Sequence, residues 1–78
     1  MKTNEMHKIL LLKIEDQLTR RSKFEDEEAR VMCLDRIMGM LLYAKSIDVI
    51  TAQEYEEFYT KYVENVEFLN LESMKIFV

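Results

Sequence analysis

No proline and a single glycine, Gly39, occur in the whole 78-residue chain. Strand-and-turn folds need frequent residues that accept tight or left-handed backbone, and this chain has almost none. Helices need neither, and 49% of the residues are hydrophobic, many at helical spacing. The expected fold class is therefore all-α. One domain, residues 1–78, should hold helices over about 4–20, 23–45 and 52–67, with a short apolar C-terminal element over about 70–78.

In the first helix Leu10, Leu11, Ile14 and Leu18 share one arc, with His7 in line. Ile9 and Leu12 project from its back. The motif Ser22-Lys23-Phe24-Glu25 has the form of a capping box and predicts the next helix start. Glu25, Asp26, Glu27 and Glu28 would then fill a first turn, where carboxylates complement the helix dipole. The second helix carries a main stripe of Phe24, Val31, Leu34, Met38, Leu41 and Leu42. Cys33, Ile37, Met40 and Ala44 lie beside it, and Met32 and Tyr43 on a further face. A helix so apolar all round reads as a buried central helix. Gly39 sits between Met32 and Tyr43, where a missing side chain would let another helix approach.

The sharpest local signal is the turn Ser46-Ile47-Asp48-Val49-Ile50-Thr51. Thr51-Ala52-Gln53-Glu54 forms a second capping box, and Ile50 and Tyr55 stand at the positions of a hydrophobic staple. The third helix follows with an inner stripe of Tyr55, Phe58, Tyr59, Tyr62, Val66 and Leu69. Glu56, Glu57, Glu64 and Glu67 line its opposite face, with Lys61 one turn after Glu57.

A chain this short buries only about 60% of its unfolded surface, so one core gives thin stability. Its single cysteine excludes an internal disulfide, and oligomerisation becomes the expected staple. Apolar residues exceed what three helices can bury at Ile9 and Leu12, at Met32, Gly39 and Tyr43, and at Met74 and Phe77. These are the expected oligomer interface, most simply of a homodimer. The apolar run Ile9–Leu12 is too short for a signal-peptide core or a membrane span, so the chain reads as cytoplasmic, without a membrane partner.

Catalysis has little to work with. There is one histidine and one cysteine, and no glycine-rich phosphate loop or inward Glu-x-x-His pair. His7 reads as a packed or half-exposed imidazole, and Cys33 as a buried, inert thiol. No catalytic residue, metal ligand, cofactor or small-molecule substrate is expected. Residues 1–45 carry nine Lys/Arg against eight Asp/Glu, and residues 46–78 two against seven. The third helix, in the place of a DNA-recognition helix, would set its glutamates against phosphates. The alternative is a small dimeric DNA-binding regulator using Arg20, Arg21 and Lys23. Protein binding is favoured instead: a second copy of the chain, and a basic host protein held by Glu56, Glu57, Glu64 and Glu67.

The segment Leu41-Leu42-Tyr43-Ala44-Lys45-Ser46-Ile47-Asp48-Val49-Ile50-Thr51-Ala52-Gln53-Glu54-Tyr55 resembles a recurrent helical hairpin. In that pattern a leucine-rich helix leads through a short turn to Ile-Thr-x-x-Glu-aromatic. Short oligomerisation domains of the SHOCT type carry it, as do many small bacterial and phage proteins. It departs from the usual form at Asp48, where glycine is common at or near the turn. The whole chain is similar in style to small acidic helical proteins of phages and mobile elements. That likeness implies a non-enzymatic protein that binds and blocks a host protein, such as a defence nuclease or regulator.

Overall fold

The computed structural model describes residues 2–68, so the expected C-terminal element, with Leu69, Met74 and Phe77, lies outside the described residues. Three helices occur in order: α1 over Lys2–Lys23, α2 over Glu27–Ser46 and α3 over Ala52–Tyr59. A π-helical turn, Thr60–Glu64, and a 3-10 turn, Val66–Phe68, extend α3. The all-α expectation holds for these residues.

The first boundary is not where the serine motif put it. Ser22 lies inside α1, and its hydroxyl donates to the Thr19 carbonyl at 2.6 Å. Asp26 is the true N-cap of α2, its carboxylate accepting from the Glu28 amide at 3.2 Å. Electrostatics explains the choice. Extending α1 gathers Arg20, Arg21 and Lys23 at its negative C-terminal end, whereas starting α2 at Ser22 would put Lys23 at a positive N-terminus.

The end of α2 is a Schellman motif. Asp48 donates its amide to the Lys45 carbonyl at 3.2 Å and Val49 to the Ala44 carbonyl at 2.9 Å. Val49 and Ala44 are both buried, as the hydrophobic contact of that motif requires. Asp48 takes φ 62°, in the left-handed region. Thr51 then starts α3 with both halves of the expected capping box formed.

Helices α1 and α2 pair as an antiparallel hairpin, and α3 crosses one side of them. The extents, 38 × 25 × 17 Å, are those of two helix layers. Leu10, Ile14 and Leu18 of α1 meet Ile37, Leu41 and Ala44 of α2, closed by Val49, Ile50 and Tyr62. Ile14, Ile37 and Leu41 are 0% exposed. The α1 stripe is as expected; that of α2 is not. Cys33, Ile37, Leu41 and Ala44 face inward, while Phe24, Val31 and Leu42 are exposed. Apolar residues are spread so evenly round α2 that its sequence favours no face. The Schellman turn, which holds Ala44 inward, and the α1 stripe make the choice. Because Val31, Met32, Leu42 and Tyr43 all reach solvent, α2 is not a buried central helix.

Candidate functional site

The acidic flank of α3 is built by helical spacing alone. Glu56, Glu57 and Glu64 are exposed on the side turned from the core. Glu56 and Glu57, with Thr60, Lys61, Asn65 and Phe68, line a shallow depression of about 580 Å³. Phe68 stands there 86% exposed. A second hollow, about 390 Å³, lies between Glu56 and Glu64 and is floored by Met38, Tyr55 and Tyr59. Carboxylates thus lie beside the half-covered rings of Tyr55 and Tyr59 and the exposed ring of Phe68.

Glu67, expected on the same face, is turned elsewhere. Its carboxylate accepts from the Arg21 guanidinium at 2.5 Å and lies 3.6 Å from Arg30. The cause is the π turn. The Asn65 amide bonds five residues back, to the Thr60 carbonyl at 2.9 Å. One extra residue in a turn shifts everything beyond it by about 100° of helical arc. That shift turns residue 67 toward Arg21 of α1 while leaving it exposed. The Arg21 hydrogen bond, and then its charge, hold the Glu67 carboxyl below the usual carboxylate range.

The same pairing draws on the basic region considered for DNA. Arg21 is only 13% exposed and committed to Glu67, while Arg20 bonds Asp16 at 2.9 Å. His7, on α1, lies 3.2 Å from Glu54 Oε2 and edge-on to Phe58 at 5.6 Å. Glu54 Oε1 meanwhile accepts from the Thr51 amide at 2.9 Å. One carboxylate therefore serves both the α3 cap and the contact between α1 and α3. The Thr51 backbone bond, with a smaller contribution from His7, lowers its pKa. Cys33 is a buried free thiol. Among the described residues, no three His, Cys, Asp or Glu side chains are grouped to hold a metal ion. None of the described helices is long and apolar enough to cross a membrane.

Of the residues expected at an oligomer interface, Ile9, Met32 and Tyr43 are exposed and Leu12 is half-buried. A Cβ on Gly39 would meet nothing within 4 Å, so no close helix approach uses that glycine inside the subunit. Ile9 and Tyr43, which the sequence put on separate helix faces, line one apolar groove of about 300 Å³. Met6 and Ile47 line it too, and sequence reasoning passed over both. The four-residue spacing of Tyr43 and Ile47 was the available signal, obscured because Ile47 falls in the turn.

No family model matches the chain, and neither a curated protein nor a solved structure matches it.

Proposed function

We propose that this chain is a non-catalytic protein-binding module whose α3 flank occupies a basic surface on another protein and blocks it. The observation that carries this reading is the exposed set Glu56, Glu57 and Glu64, interleaved with Tyr55, Tyr59 and Phe68. Carboxylates beside aromatic anchors suit a positively charged partner: the charges steer the encounter and the rings supply contact area. A protein of this kind acts stoichiometrically, in the manner of small phage or mobile-element inhibitors of a host nuclease or regulator.

The DNA-binding alternative is weakened by the ion pairs of Arg20 and Arg21. Both readings can be tested together by capture from a host extract and by a salt-titrated duplex-binding assay. The wild-type chain should retain a basic protein that the triple variant Glu56→Lys/Glu57→Lys/Glu64→Lys loses, and should not bind duplex DNA. Duplex binding that weakens steeply with salt and is abolished in Arg20→Ala/Arg21→Ala would overturn the proposal.

A further inference from the structure

We infer that the groove face of the α1/α2 layer, on the side away from α3, is where a second copy of the chain docks. This deepens the binding-module reading but uses none of its residues. Lys45 reaches α3, its ammonium 4.9 Å from the centre of the Tyr55 ring. Tyr43 and Ile47, two residues to either side, project about 200° round the helix from it. On α1, His7 touches α3 while Met6, Ile9 and Lys13 line the groove. The back of α1 and the outer face of α2 are thus one continuous surface.

Area and charge both select a second copy as the occupant. Met6, Ile9, Tyr43 and Ile47 at the groove, and Met32 about three turns before Tyr43 on the same side of α2, are each 42–66% exposed. At about 200 Å² per large side chain, they leave on the order of 500 Å² of side chain in water. A stable dimer covers about 800 Å² on each partner, which this apolar centre and a polar rim would supply. The face is also mixed in charge, with Lys13 at the groove and the Asp16–Arg20 ion pair further along α1. Joining two copies through the α3 flank would set Glu56, Glu57 and Glu64 against the same three carboxylates. Joining them through the groove avoids that repulsion and leaves two acidic flanks pointing outward. The groove itself accepts a large side chain from the facing copy.

Sedimentation equilibrium of the full chain tests this. The wild type should sediment as a dimer in the micromolar range. Ile9→Glu/Tyr43→Glu should weaken association at least tenfold while keeping its helical circular dichroism, since both positions are exposed. Leu42→Glu, on the other flank of α2, should dimerise as the wild type does. Should the charged variant fail to fold, Ile9→Ala/Tyr43→Ala read the same way decides. Dissociation by Leu42→Glu but not by Ile9→Glu/Tyr43→Glu would overturn the assignment. So would a wild-type chain that sediments as a monomer throughout the micromolar range, whatever the urea midpoint of Ile9→Glu/Tyr43→Glu. Either result leaves capture through the Glu56, Glu57 and Glu64 flank to be judged on its own.

Discussion

Asp48 carries the sharpest backbone demand in the described chain. Left-handed backbone costs an ordinary L-residue about 1–2 kcal/mol, less for aspartate, and nothing sterically for glycine. Its position two residues after Ser46 is the one where a Schellman motif most often has glycine. The departure from the usual hairpin pattern at Asp48 is therefore a local strain that the motif's two hydrogen bonds offset. Asp48→Gly should raise stability by a few tenths to about 1 kcal/mol, while Asp48→Val, β-branched and unable to relax, should lower it by about 1–2 kcal/mol. Urea denaturation of the two variants beside the wild type checks both signs. Gly39 makes the opposite case, because its φ is not positive and space around it is open.

At the scale of elements, α3 is the piece held from both ends. Its first turn is capped by Thr51 and tied to α1 through Glu54 and His7; beyond the π turn, Glu67 is tied to Arg21 and Arg30. Removing the cap in Thr51→Ala should cost about 1 kcal/mol, and more amide exchange should appear in α3 than in α1. Both carboxylates have folded pKa values below the ordinary 4.5. They bind fewer protons folded than unfolded, so their contribution is complete above 4.5 and is lost as pH falls below it. Acid should therefore loosen α3 first. In Glu54→Gln and Glu67→Gln this part of the pH dependence should flatten, read by amide exchange along α3 at successive pH values. An unchanged acid profile in both variants would show that neither clasp matters.

The whole molecule rests on a small core. Ile14, Ile37 and Leu41 are its fully enclosed members, and the nine buried residues of the cluster come from α1, α2, the turn after α2 and the π turn, while α3 packs on them with half-buried rings. Truncation of Ile37 to alanine should cost about 2–5 kcal/mol. A single core in a domain of this size supplies about 3–5 kcal/mol, so Ile37→Ala should leave a partly unfolded chain by circular dichroism. Docking of a second copy on the groove, as inferred above, would add stability that grows with concentration. The thermal midpoint of the wild type should accordingly rise with concentration more than that of Ile9→Glu/Tyr43→Glu.

Local chemistry is what the sequence determined by itself. Composition without turn residues settled the all-α class. The Thr51 box settled the start of α3, and the Leu10, Ile14 and Leu18 spacing settled the inner face of α1, because each depends on neighbours within one or two turns. Four features were decided only in the folded chain. Ser22 and Asp26 are both competent caps, and the choice between them depends on where three cations of α1 come to lie. Which side of α2 is inside depends on α1, since α2 is apolar nearly all round. The π turn that sends Glu67 to Arg21 adds a residue to the ladder without a local signature. It separates Glu67, exposed yet paired with Arg21 and Arg30, from Glu56, Glu57 and Glu64 on the outer flank. Ile9 and Tyr43 lie 34 positions apart, and only helix packing makes them one surface.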